Sequence, residues 1–427
     1  MRRWIPTRGS VFSGLRGRNL SGLRCFSIAV NNVERVSFRT GSSGFATIDL
    51  HNIAKVPSPG PLLIYLPPYS TAFSDRPAEL PRFIQRWPTA VINYRWVGYP
   101  PSEDTATHSS KSDTDPAENE DEDEMSHLAW PSPIHDTARA YEWIVENLGP
   151  ANYTRRDIYV YGSYLGASLA VSLTLTETHP HARMGIRGCV AYNGIYNWTT
   201  FLPDHRINEK PQHQSRNILE EILGHPAEDP EFQELKQHRE ALFTKPGYLF
   251  DPFASPCLFF HTPGIFVPPD FNSTALSPAE LLPEDLALLP DDAPELFMPT
   301  KSPRKSTLIF PPRKSTLKIP EALLLHSSPP QMPPSLWRRR QRRKKIAQNN
   351  FRTQAEDLAG LMRRSIDKVE LKERSRWDES DSWDEEAARR VQLQNVGLGK
   401  GGFELDSKGE ELAAAWLEDH MGNPYSK

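Results

Sequence analysis

Cysteine is scarce in this chain: 427 residues hold three, Cys25, Cys189 and Cys257. Three cysteines exclude a disulfide scaffold and a multi-cysteine zinc site. Long apolar runs are missing too. No stretch of 18 or more apolar residues occurs, so no membrane-spanning helix is expected. Neither sign of charge dominates. The 50 basic and 54 acidic side chains leave a net −4, which argues against a globally basic nucleic-acid binder and leaves room for local blocks. No glycine loop of the phosphate-cradling kind and no His/Asp/Glu metal cluster stands out, so no cofactor and no metal are expected. Apolar residues make up only 38% and mean hydropathy is −0.57. Both are low for a fully packed chain. Proline is plentiful instead, at 40 residues. At about 150 residues per domain, the length fits three domains or one large α/β domain with tails.

Acid is also absent from residues 1–33, which carry Arg2, Arg3, Arg8, Arg16, Arg18 and Arg24 among serines. That is the composition of a mitochondrial transit peptide. Cleavage is expected within Arg24-Cys25-Phe26-Ser27, giving a transit peptide over 1–26 and a matrix location. A disordered basic tail is the alternative, and Pro6 with four glycines weakens the amphipathic helix that import uses.

Short apolar runs alternate with helical stretches from about residue 33, as in a mostly parallel α/β sheet. Strands are expected at Val33–Phe38, Phe45–Leu50, Leu62–Leu66, Ala90–Tyr94, Asp157–Tyr161 and Cys189–Tyr192. Helices are expected at Pro77–Arg86, Pro133–Leu148 and Ala167–Thr178. Residues 103–124 carry ten acids and one lysine. They read as a disordered insertion, either an interaction tag or a tolerated surface loop. Residues 194–250 read as a helical cap. Pro263 to Pro334 contains 16 of the prolines and two copies of Pro-Arg-Lys-Ser-Thr-Leu, at 303–308 and 312–317. Each copy offers a serine after two basic residues, a kinase context that a local duplication explains as well. Residues 335–427 read as a charged, partly helical tail outside a domain that ends near 326.

One segment carries more information than the rest: Ile158-Tyr-Val-Tyr-Gly-Ser-Tyr-Leu-Gly-Ala167, a strand, a turn flanked by glycines, and a helix. It resembles the nucleophile elbow of the α/β-hydrolase superfamily, G-x-S-x-G, in its esterase/lipase branch related to hormone-sensitive lipase. Leu62–Leu66, Val91-Ile-Asn-Tyr-Arg95 and Trp130-Pro-Ser-Pro-Ile-His-Asp136 match the same branch in order and spacing. The resemblance implies an α/β-hydrolase-like fold: a mostly parallel sheet flanked by helices, with a helical cap.

The resemblance fails where the chemistry sits. Gly162 and Gly166 fill the outer glycine positions, but Tyr164 stands where the nucleophile belongs and Ser163 is one place early; Leu165 follows with the remaining oxyanion N–H. The oxyanion loop, His-Gly-Gly in the family, reads Pro67-Pro68-Tyr69 here, and proline has no N–H to offer. Cys257–His261 is expected as the strand before the acid, with Asp270 the first carboxylate after it. Ser306–Phe310 is expected as the last strand, with His326 the later histidine.

Three readings follow. The first is a mitochondrial α/β-hydrolase-like protein without ordinary serine-hydrolase activity, acting on a protein partner by binding or scaffolding. The second is an active carboxylic-ester or thioester hydrolase using Ser163, Asp270 and His326. The third is a ribonucleoprotein component in which Arg338, Arg339, Arg340, Arg342, Arg343, Lys344 and Lys345, beside Trp337, contact RNA phosphates. The same block also reads as a nuclear localisation signal or as a solvated helix face.

Overall fold

Continuous apolar stretches such as Leu62–Leu66, with every side chain buried, suit a strand inside a sheet covered on both faces. The structure, a computed structural model, is built around such a sheet. It describes residues 27–30, 33–40, 44–53, 60–71, 74, 76–96, 129–150, 154–208, 230–275, 303–328, 349–372, 383–397 and 403–422. The expected transit peptide, the acidic insertion, the basic block at 338–345 and Trp337 lie outside the described residues.

Nine strands are described: β1 (Ser27–Val30), β2 (Val33–Arg39), β3 (Phe45–His51), β4 (Leu62–Leu66), β5 (Thr89–Asn93), β6 (Arg156–Ser163), β7 (Met184–Tyr192), β8 (Glu321–Ser327) and β9 (Val391–Gly397). Their order across the sheet is 1-2-3-5-4-6-7-8-9. The first three pairings are antiparallel; those from β5 through β9 are parallel. The described helices are α1 (Ser132–Asn147), α2 (Leu165–Glu177), α3 (Pro230–Gln237), α4 (Arg239–Phe243), α5 (Phe351–Ser365), α6 (Trp383–Arg390) and α7 (Ser407–Met421). This is the mostly parallel, helix-flanked α/β-hydrolase-like sheet that the sequence leads one to expect. Among the described residues no helix is long and apolar enough to cross a membrane.

Helix α2 is apolar on every side and buried from Leu165 to Leu175, the pattern of a helix inside the core rather than on its surface. Helix α7 covers the other face. Its Trp416 meets Tyr159 edge-on at 6.1 Å, and a Cβ on Gly188 would run into that indole. Tyr159, Gly188 and Glu321 are register partners across β6, β7 and β8, so all three face α7. The alternate residues face α2 and α5.

Between 194 and 250 the described residues form short helical turns and α3–α4. They pack an aromatic knot: Trp198 lies 5.0 Å from Phe243, and Trp96 lies 5.5 Å from both Trp130 and Phe243. Trp96 follows β5 and Trp130 precedes α1, so this unit covers the carboxyl ends of the strands. Beside it Arg95 grips Asp136 through Nε and Nη2, at 2.9 and 2.7 Å, both side chains buried. The Tyr-Arg and His-Asp motifs therefore meet as a structural ion pair.

Several expectations are corrected. Pro77–Arg86 is not a helix; only Arg82–Ile84 forms a single 3₁₀ turn. Cys257–His261 is a 3₁₀ turn over Pro256–Phe259, because a short apolar run fits a buried turn as well as a strand. Ser306–Phe310 makes one isolated bridge, Thr307 to His261, and is not the last strand. The proline-rich stretch holds β8, which pairs with β7 and β9 in the sheet. The expected tail continues the domain: β9, α5 and α7 bury Val391, Leu358, Trp416 and Leu417 in the one core cluster.

Candidate active site

The carboxyl ends of parallel strands gather the loops that carry chemistry in α/β proteins, and β6 ends there in a tight turn. Tyr164 sits at φ 51°, ψ −114°, a region L-residues avoid and structures reserve for special positions. The flanking glycines permit it. A Cβ on Gly162 would overlap the Gly166 carbonyl, and one on Gly166 would overlap the carbonyls of Leu66 and Pro67. The turn is thus pressed against β4, with α2 springing directly from it.

An elbow normally lifts its central side chain into an open pocket. Here Tyr164 is 1% exposed. Its ring is walled in by Phe403 at 5.1 Å, Phe351 at 5.5 Å, Tyr192 at 5.8 Å and Tyr69 at 6.4 Å. Phe403 also meets Tyr69 edge-on at 4.4 Å. Asn193, just past β7, donates its amide to the Tyr164 hydroxyl at 3.3 Å and to Ser327 Oγ at 2.9 Å, and accepts from Ser327 N–H at 2.8 Å. The phenol is held by an amide network that crosses from β7 to β8.

Ser163 points the other way. Its position on β6 shares the α7-facing side with Tyr159 and Tyr161. It lines a cavity of about 190 Å³ with Tyr65, Pro67, Pro68, Phe403 and Glu410, and no histidine is among the described residues that line it. Its hydrogen-bond partner there is Tyr161, whose phenol burial pushes far above the ordinary range. A phenol that resists ionisation is no base for a serine.

His326 lies on β8 one residue past Leu325, the register partner of Tyr192 and, through it, of Ser163. It therefore faces α5, on the opposite side of the sheet from Ser163. It is buried, its Nδ1 finds no hydrogen-bond partner among the described residues, and burial lowers its pKa despite Glu356 nearby. Asp270 is exposed in a local turn with Ser273. The structure does not bring Ser163, Asp270 and His326 together.

The oxyanion loop is spent on packing. The Pro67 carbonyl accepts from the Tyr94 hydroxyl at 2.6 Å and Ser70 donates to the Tyr94 carbonyl at 2.8 Å, while Tyr69 leans on Tyr164. Neither described thiol can replace the serine: burial pushes Cys189 up to about 12 and Cys257 further.

With β8 and β9 identified, the acid and histidine positions implied by the resemblance can be read directly. After β8 the sequence contains no carboxylate until Glu356, and after β9 no histidine until His420. The described residue that reaches the elbow from beyond β9 is Phe403. Phe403, Phe351, Asn193 and Ser327 are missed by reading the sequence alone, since single aromatics and amides in loops carry no motif.

No protein-family model matches the chain, and no curated protein matches it. Solved structures do. An esterase of Pyrobaculum calidifontis is 14% identical, with 92% of this chain and 86% of that one covered at a TM-score of 0.44. Carboxyl esterase 2 of Tuber melanosporum is 13% identical over 97% and 94%, at 0.42. A thermostable esterase of Pseudomonas putida is 12% identical over 95% and 83%, at 0.41.

Proposed function

We propose that this chain is an α/β-hydrolase-fold protein that has given up serine hydrolysis and works by binding or scaffolding, in mitochondria. The observation that carries the reading is the filling of the elbow. Tyr164 occupies the nucleophile position, closed over by Phe403, the stretch from β8 to α5 holds no acid, and the stretch from β9 to α7 holds no histidine. Removing the nucleophile of a working triad costs about 10⁶ in turnover, and one oxyanion donor about 10²–10³. Together these losses leave nothing for ester chemistry to run on.

The mitochondrial part rests on the acid-free arginine pattern of residues 1–26.

The test is hydrolysis of short acyl esters by the purified chain beside its Ser163→Ala variant. Equal rates at the level of buffer are expected. Turnover abolished by Ser163→Ala would reinstate an active esterase with a remodelled site.

A further inference from the structure

The duplicated hexapeptide stands far from the elbow and has no part in the reading above. Residues 303–320 hold five cations, Arg304, Lys305, Arg313, Lys314 and Lys318, and no acid. All five are exposed. Between the two cation groups lie Leu308 and Ile309, 43% and 56% exposed. Large aliphatic side chains held in water side by side mark an interaction surface when charges rim them.

The exposure is built, not frayed. Leu308 N–H donates to the Phe260 carbonyl at 2.7 Å, Thr262 N–H to the Ser306 carbonyl at 2.9 Å, and Lys318 N–H to the Thr178 carbonyl at 3.1 Å. Phe310 is buried against Phe259 and Phe260. The backbone is pinned on both sides of the pair, which leaves Leu308 and Ile309 turned outward. Phe253, also partly exposed, extends the apolar patch through its ring contact with Phe259.

Leu308 and Ile309 stand at the wall of a cavity of about 1240 Å³. Arg313, Lys318, Arg364 and Lys368 line it. Its acids are already engaged: Asp157 by Arg187, Glu370 by Arg390, Glu386 by Arg389 and Glu321 by His420. Asp357 of α5 lies near Lys305. The cations facing outward exceed the acids left to meet them.

We propose that this surface docks on an anionic lipid membrane. Lysines and arginines beside an apolar wedge are what peripheral attachment requires: phosphates for the cations, and the acyl boundary for Leu308 and Ile309. A purely acidic peptide would satisfy the charges but leave both aliphatics in water. The proposal is independent of the closed elbow and goes beyond it.

The experiment is co-sedimentation of the full chain with phosphatidylcholine vesicles, with and without phosphatidylglycerol. The decisive variant is Leu308→Ser/Ile309→Ser, which keeps every charge, including the basic block at 338–345. Binding to the anionic vesicles is expected for the wild type, and a loss of about tenfold or more for the double variant. Substituting the arginines and lysines of 338–345 by glutamine should leave most binding in place. Should the double variant melt below the wild type, Lys314→Gln/Lys318→Gln is the second variant, with a similar loss expected. Unchanged sedimentation of either surface variant overturns the proposal. So does wild type that ignores anionic vesicles, or that binds a polyglutamate peptide regardless of Leu308 and Ile309.

Discussion

Tyr164 has two costs to meet: a backbone in the left-handed half of conformational space, worth about 1–3 kcal/mol, and a phenol to be satisfied inside the core. Four aromatic rings and the Asn193 amide meet them. The side chain is therefore part of the fold rather than a group awaiting a substrate. Tyr164→Phe should cost about 1 kcal/mol, because it deletes the hydroxyl that Asn193 bonds and keeps the ring. Tyr164→Ala should cost about 3–5 kcal/mol, because it opens a cavity among those rings without relieving the backbone. Urea unfolding of both variants measures this. An alanine variant as stable as wild type would mean that the ring is not packed.

Helix α7 closes the face of the sheet that carries Ser163, and its end is tied down by a titrating pair. His420 Nε2 lies 2.8 Å from the Glu321 carboxylate, and the ring stacks on Trp416 at 3.9 Å. Burial disfavours charge on His420, but the bonds to Glu321 and to the Trp416 carbonyl outweigh it and raise the imidazole. The bond from His420 lowers Glu321 in turn. A raised base stabilises fully below its unfolded pKa of about 6.5 and loses that contribution as pH rises through the folded value. A lowered acid contributes above its unfolded value and fails as pH falls through the folded one. The pair should hold α7 best between the two, at mildly acidic pH. Hydrogen exchange within 407–421 should accelerate from pH 6 to pH 8 beyond the intrinsic rate change, and Glu321→Gln should remove the excess. Strands β4 to β7 are legible in sequence because a strand buried on both faces must be a near-continuous apolar run. Strand β8 hides behind prolines that flank it without entering it. Strand β9, Val-Gln-Leu-Gln-Asn-Val-Gly, is a polar-dotted edge strand that periodicity does not separate from a loop. The site is hidden for the same reason: with the last two strands misplaced, the acid and the base are sought in the wrong loops, and His326, offered as the histidine of an active site, lies within β8.

The described strands form one sheet, which β9 completes. A chain stopped at Ser328 would lack Phe351, Leu358, Val391, Trp416 and Leu417, all buried, and would expose both the face under α7 and the edge of β8. It should show no cooperative melting, in contrast to the full chain; a truncated form melting like the wild type would detach residues 335–427 from the domain. The same completeness underlies the functional reading, since the sheet's finishing segments bring Phe351 and Phe403 to the elbow instead of a histidine. The most direct measurement is intact mass after exposure to a fluorophosphonate, for the wild type and for Tyr164→Ser. Without a base within about 3 Å, even a correctly placed serine is a poor nucleophile, so neither protein should gain an adduct. An adduct on the wild type at Ser163, or on the serine placed at the elbow, would contradict the account and show that a catalytic base survives in this fold.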